Sequence, residues 1–423
     1  MRRVLGWCFL VVLLLLFVDA TLMQVQLATV GYVVVTTYVF KITLMVLISL
    51  NGALALVRDG DALVQVPRPV WGTLGAFVLL LVLELWRGSY TSSVSYMVFG
   101  INANYFFFLV GIPVVLMRVH PQTATWALVI VGVPLSGLGI AQYLLNDPIV
   151  FEGTADLGFA VVAADFFGAQ RAYSLFSTAL NFGHFLAFLG GLLIHRVARS
   201  TGWGRGVWLV LLATVLLAAV GTLTRAIYLE VMMVVASSVI LVRADRSRIL
   251  SLGSWLMLGY AGVGLAVVLA GAMFGSSGSG IFTNQTLLMR LDEWSHFVAL
   301  WFSGGIGDVL LGMGTLQSIR FLSSADVLID NSFVAIGAHS GLLGLLLWIA
   351  VMTAWWRWMC ERFAAGGDNP VLFAVLVIWT TWLPSASLGI TQWLYPMLAV
   401  LGLATVTICP PDDASALEAS WES

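Results

Sequence analysis

Lysine occurs once in 423 residues, at Lys41, and charged residues of both signs make up only 9% of the chain. A glycine-rich phosphate loop needs a lysine at the start of its helix, so that class of nucleotide site is excluded. The formal net charge of -2 gives no global basic field, and aromatic and basic residues form no strip together, so nucleic acid is set aside as a partner. Cysteine is nearly as scarce. Cys8, Cys360 and Cys409 all fall near the same predicted side of the molecule, which implies no disulfide framework. The five histidines show no zinc spacing, and Asp147, Glu152, Asp156 and Asp165 are too irregularly spaced for a cation loop. No metal and no other cofactor is expected.

What is abundant is apolar surface. Sixty per cent of the residues are hydrophobic and the mean hydropathy is +1.00, far above soluble globular proteins. About 20 apolar residues cross a bilayer core as a helix. On that ruler twelve spans fit, over 4–19, 35–56, 70–86, 96–117, 122–144, 181–196, 206–223, 226–242, 250–273, 331–355, 370–387 and 388–408. The expectation is an all-α polytopic membrane protein with one transmembrane domain, 1–409. Arg2-Arg3 and the apolar run behind them read as an uncleaved signal anchor, because Asp19-Ala20-Thr21 is a poor cleavage site. The acidic stretch 410–423 reads as a disordered cytoplasmic tail. The segment 20–57 has room for an additional interfacial helix.

Arginine sets the orientation. With both termini in the cytoplasm, thirteen of the nineteen basic residues fall in cytoplasmic segments, as positive-inside bias demands. Both termini are therefore expected in the cytoplasm. Two outer segments, 145–180 and 274–330, exceed what a connection requires, and long ordered loops tend to carry function. The second opens on Gly275-Ser276-Ser277-Gly278-Ser279-Gly280 and continues through 296–302, which reads as a short interfacial helix.

Five arginines fall on the outer side: Arg87, Arg171, Arg225, Arg290 and Arg320. An anionic ligand there would account for them. Arg87 reads equally as a snorkelling side chain. Arg225 sits in Gly221-Thr222-Leu223-Thr224-Arg225-Ala226, the entire link between two spans; it either pairs with Glu230 or offers its donor fork to a phosphate. Arg290, in Met289-Arg290-Leu291-Asp292-Glu293-Trp294, either forms local ion pairs on a solvated helix or joins that site. Arg171 heads an aromatic and hydroxyl-rich stretch to His184, a mixture suited to sugars. Asp330-Asn331 precedes the tenth span, with Gly341 and Gly344 beyond it as a pair allowing close helix packing. Asp330 either caps that helix or accepts a hydrogen bond from a substrate hydroxyl.

These segments, in this order, resemble the O-antigen ligase and polymerase superfamily, comprising Wzy-type polysaccharide polymerases and lipopolysaccharide ligases. The matching stretches are Arg171 to His184; Thr224-Arg225-Ala226, with alanine where the family has glycine; Arg290 to Trp294 with Gly312-Met313-Gly314; and Asp330-Asn331 followed by Gly341 and Gly344. The ligases carry histidine where this chain has Asp330, which tilts the resemblance toward a polymerase.

The resemblance implies a C-type glycosyltransferase-like bundle of about twelve helices, with a large periplasmic loop before the tenth. It implies a metal-independent glycosyltransferase joining undecaprenyl-diphosphate-linked repeat units of O-antigen, capsule or exopolysaccharide at the periplasmic face. Arg225, Arg290 and Asp330 would then be catalytic, with Arg171, Asn181, Asn331 and Arg320 binding substrate. Donor and acceptor would both be lipid-linked glycans, and a chain-length-regulating co-polymerase is a candidate partner. A free aspartate among arginines is a poor base, so positioning of the attacking hydroxyl is the role expected for Asp330. Transfer of finished glycan to lipid A-core is the alternative within the superfamily. Outside it stand a transporter or flippase, which would show ionisable groups near mid-membrane, and a noncatalytic subunit of an envelope complex.

Overall fold

The structure is a computed structural model that describes residues 2–18, 37–58, 66–88, 106–147 apart from 108 and 112, 171–243 apart from 177, 298–312 apart from 300, 332–365, 368–386 and 394–406, with a few isolated positions besides. Its helices are α1 (Arg2–Phe17), α2 (Thr37–Arg58), α3 (Arg68–Gly88), α4 (Pro121–Leu145), α5 (Ala179–Arg199), α6 (Gly202–Gly221), α7 (Arg225–Arg243), the short α8 (Ile306–Leu311), α9 (Ser332–Ala364), α10 (Pro370–Ala386) and α11 (Leu394–Ala404). No strand occurs among the described residues. Four helices are long and apolar enough to cross a membrane: α4, α5, α6 and the 336–364 part of α9. Shorter apolar helices accompany them at Arg3–Leu16, Val39–Ala55 and Pro370–Trp379. The molecule is a helical membrane protein.

Several expected spans coincide with helices to within a few residues, among them 122–144 with α4, 181–196 with α5 and 226–242 with α7. The fourth expected span differs: its described end is a 3-10 turn over Pro113–Met117. The ninth, 250–273, lies outside the described residues apart from 262.

The bundle is organised around α5, which is buried along nearly its whole length. Its neighbours are α4, α6, α7 and α10. Glycine explains how α4 comes so close. A Cβ on Gly132 would lie 2.5 Å from the Leu189 side chain, and one on Gly139 would lie 2.5 Å from the Phe182 ring. Seven residues separate the two glycines, so both fall on one face of α4 and receive α5 side chains, the small-residue packing that membrane helices use in place of hydrophobic drive.

One end of the bundle is tied by polar bonds. Arg196 donates from Nη2 to Gln122 Oε1 at 2.8 Å and from Nη1 to Asp368 Oδ2 at 3.2 Å, joining α4, α5 and the start of α10. Asn369 Nδ2 donates to the Thr405 carbonyl at 3.0 Å, and the Val119 N–H to the Ala404 carbonyl at 2.7 Å. Arg199, Arg205, Arg243, Arg357 and Arg362 sit near helix termini at this same end, as alternation of the helices requires. Arg171 and Arg225 stand at the opposite end. Among the described residues these arginines thus divide between the two ends of the bundle.

The helix α9 corrects an expectation. Gly341 has φ +66° and ψ -170°, so the helix is broken there rather than continuous through a packing glycine. The break is filled by chain from the preceding loop: a Cβ on Gly341 would lie 2.3 Å from the Leu310 carbonyl oxygen, and one on Gly312 would lie 2.1 Å from the His339 carbonyl oxygen. The stretch expected to be an interfacial helix at 296–302 has helical residues at 298–299 and 301–303. Trp301 is buried, lies within 2.6 Å of where a Gly337 Cβ would be, and donates Nε1 to the Asp308 carbonyl at 3.1 Å.

Candidate functional site

At the end of the bundle opposite Arg196, residues 171–176 fold back onto the last turn of α4 and the link between α6 and α7. A single buried side chain fixes them. Gln142 Oε1 accepts from the backbone N–H of Tyr173 at 3.1 Å and of Ser174 at 2.7 Å, while Nε2 donates to the Ser174 carbonyl at 3.2 Å. Ser174, in the left-handed region at φ 53°, donates its hydroxyl to the Leu135 carbonyl at 2.8 Å. The Ala172 N–H then donates to the Gly221 carbonyl at 2.8 Å. Arg171 is thereby delivered to the α6–α7 link.

Gln142→Leu keeps the volume but leaves two buried N–H groups and one carbonyl without this partner. At about 1–3 kcal/mol for each orphaned group, the segment is expected to detach locally. Hydrogen exchange at 172–176 in lipid nanodiscs should accelerate more than tenfold with little change at α5; unchanged protection would refute the role given to Gln142.

The α6–α7 link is itself built from side-chain bonds. Thr222 Oγ1 donates to the Ala219 carbonyl at 2.8 Å and Thr224 Oγ1 to the Thr222 carbonyl at 2.9 Å, with Leu223 between them at φ 49°. Tyr228 reaches back from α7 and donates its hydroxyl to the Val220 carbonyl at 2.8 Å. Arg225 is the first residue of α7 and is exposed. Among the described residues it has no ion-pair partner.

The geometry of α7 explains that exposure. At about 100° per residue, Ile227, Glu230, Val234, Ser238 and Leu241 cluster on one side of the helix, and all are buried. Arg225 lies on the opposite side, above the exposed Leu229, Met232 and Val239. Glu230 is five residues on, about 140° away around the helix, so it does not face Arg225. Its partner is His184 of α5, whose Nδ1 stands 2.5 Å from Glu230 Oε2 with both side chains buried. The ion pair considered from sequence is thus replaced by a cross-link between two helices. Just beside it, Gly183 admits Ile227, which would otherwise stand 2.4 Å from a Cβ.

Tyr228, three residues after Arg225, lies only about 60° from it around the axis and is close enough to Arg171 for the two to interact electrostatically. Partial burial holds the Arg171 guanidinium below its ordinary range, and the Tyr228 phenol works against that shift. Arginine remains a cation regardless. Burial, and secondarily Asp147, push the Tyr173 phenol up, so it stays a neutral donor. The site therefore has one exposed and one half-buried cation, with the neutral Tyr228 phenol near the second, an arrangement fit for a multiply charged oxyanion.

Of the residues expected at the site, Arg171 and Arg225 lie at the same end of the bundle, Arg171 beside the α6–α7 link and Arg225 at its end. Asn181 is in the first turn of α5, where its N–H donates to Thr178 Oγ1 at 3.1 Å, and its side chain is buried rather than presented. Arg290, Arg320, Asp330 and Asn331 lie outside the described residues. Arg87 closes α3, and Cys409 also lies outside the described residues. Tyr228 and Gln142 were missed, though each left a trace: a phenol one helical turn from the arginine, and an amide inside an apolar span. Among the described residues no group of three or more His, Cys, Asp or Glu side chains is placed to hold a metal ion. Compared with known proteins, the chain matches no family model and no curated protein sequence.

Proposed function

We propose that the protein is a membrane glycosyltransferase that polymerises undecaprenyl-diphosphate-linked oligosaccharide repeat units at the periplasmic face of a bacterial inner membrane. What carries this reading is the docking of the Arg171 segment onto the Arg225 link, through the Ala172 N–H to Gly221 bond, at one end of an apolar bundle. Two guanidinium groups at a membrane surface suit a lipid-linked diphosphate. The exposed Leu229, Met232 and Val239, on the Arg225 side of α7, suit the prenyl chain attached to it. The twelve-span C-type bundle, cytoplasmic termini and a co-polymerase partner belong to the same proposal.

In the reaction, an acceptor sugar hydroxyl attacks the anomeric carbon of the donor. The carbon–oxygen bond to the diphosphate breaks, its electron pair leaves with the diphosphate, and the hydroxyl proton passes to water. Arg225 and Arg171 stabilise the charge that grows on the departing diphosphate. Arg290 would add to that field, and Asp330 would orient the attacking hydroxyl, a proximity effect rather than strong base catalysis.

The buried ionisable groups favour this over transport. Lys41, Glu84, His184, Glu230 and His339 are buried within four to seven residues of helix ends. At 1.5 Å per residue that is about 6–10 Å deep, whereas alternating-access sites sit near the midplane of a bilayer core about 30 Å thick.

A gene knockout followed by analysis of lipid-linked sugars tests the proposal. Accumulated single repeat units are expected. Finished polymer left unattached to lipid A would identify a ligase instead, and unchanged glycans would overturn the glycosyltransferase reading.

A further inference from the structure

The buried pair His184–Glu230 has no place in the chemistry just described, yet it lies directly behind the arginine that does. We infer that it is a positioning pair, holding the first turns of α7 against α5 so that Arg225 and Tyr228 are presented outward as a fixed unit. The inference rests on the reading of Arg225 as a diphosphate contact.

Four observations carry it. The pair bridges α5 and α7 at 2.5 Å, and both side chains are buried. The backbone of α5 approaches α7 at the adjacent Gly183, where Ile227 is seated, so two neighbouring contacts fix both the distance and the rotation of α7. Rotation is what matters here. Glu230 and Ile227 point inward from the side of α7 opposite Arg225, and a helix pinned on its inner face cannot swing its outer face. Finally, the Tyr228 hydroxyl ties the same turn to Val220, and the Gly221 carbonyl of that link receives the Ala172 N–H beside Arg171. A displacement of α7 would therefore move Arg225 relative to Arg171. Burying a polar, ionisable pair is not a cheap way to stabilise a bundle, since well-packed apolar residues usually do at least as well. Fixing a register is the best-attested use of such a pair.

The test is a double-mutant cycle on the full-length protein in lipid nanodiscs, reading the affinity for undecaprenyl diphosphate that bears no sugar. Arg225→Ala is expected to weaken binding about tenfold or more, and Glu230→Ala by a similar factor. In the Arg225→Ala background, Glu230→Ala should add less than about twofold, because residues acting through one another are non-additive. Glu230→Gln, which still hydrogen-bonds His184, should recover most of the affinity. A purely structural carboxylate would lower thermal stability without this coupling.

If Glu230→Ala does not accumulate in the membrane, Glu230→Asp replaces it, with the same carboxyl group one methylene shorter. It should weaken binding about threefold or more, again only when Arg225 is present. Equal losses in both backgrounds, or native affinity in the Glu230 variants, would overturn the positioning role. Native affinity in Arg225→Ala alone would overturn the diphosphate reading itself, an outcome the cycle separates from the first.

Discussion

Arg225→Ala is expected to abolish glycan elongation while leaving the amount of protein in the membrane unchanged. The argument has two halves. The side chain is exposed and has no ion-pair partner among the described residues, so deleting it orphans no buried charge and opens no cavity. Surface substitutions of that kind usually change stability by less than about 0.5 kcal/mol. On the proposed reading its contribution to chemistry is much larger: removing one preorganised donor from developing negative charge costs about 10²–10³ in rate. Arg225→Lys should fall between the two, since it retains the charge but not the planar two-pronged donor. Cells carrying Arg225→Ala should accumulate single lipid-linked repeat units, seen as a lost polymer ladder with an unchanged immunoblot of the membrane fraction. Full-length polymer would remove Arg225 from the site.

How far these residues were legible in the sequence differs by length scale. Hydropathy and charge are local sums, so α4, α5 and α7 could be located from them to within a few residues. The segregation of the arginines followed from the same counting. Contacts between distant segments left weaker marks. Gln142 looks like a stray amide in an apolar run until the Tyr173 and Ser174 backbone, some thirty residues on, is laid against it. The Glu230 alternative is different, because the helix period alone places it on the far side from Arg225. Its true partner, 46 residues earlier, has no periodic relation to it. Gly341 illustrates a third limit: glycine serves both close packing and left-handed backbone, and sequence does not say which. Resemblance to glycan polymerases rests in part on Arg290, Asp330 and Asn331, outside the described residues.

The break at Gly341 leads to the second large effect. Gly341→Val should destroy the folded state more thoroughly than any substitution at the cationic site. A backbone at φ +66° and ψ -170° lies in a region nearly reserved for glycine and costs any other residue about 1–3 kcal/mol before any contact is considered, and a β-branched side chain fares worse there. Contact adds to this, because the new Cβ would meet the Leu310 carbonyl oxygen at 2.3 Å and the Gly312 nitrogen at 2.4 Å. Neither obstacle is a side chain able to rotate away; both are backbone. The choice is therefore between separating α8 from α9 and straightening the break, and the second would dislodge Gly312 from the His339 carbonyl it now covers. The combined cost is on the order of 4 kcal/mol, in the range reserved for severe backbone and packing faults. Gly190→Ala is the control, since its Cβ would meet nothing within 4 Å and its place in α5 is ordinary helix. In detergent, the Gly341 variant should melt many degrees below the native protein, or fail to accumulate, with faster proteolysis inside 298–312, while Gly190→Ala matches native or exceeds it slightly. Equal melting of the two variants would show that the glycine contact between α8 and α9 holds nothing together.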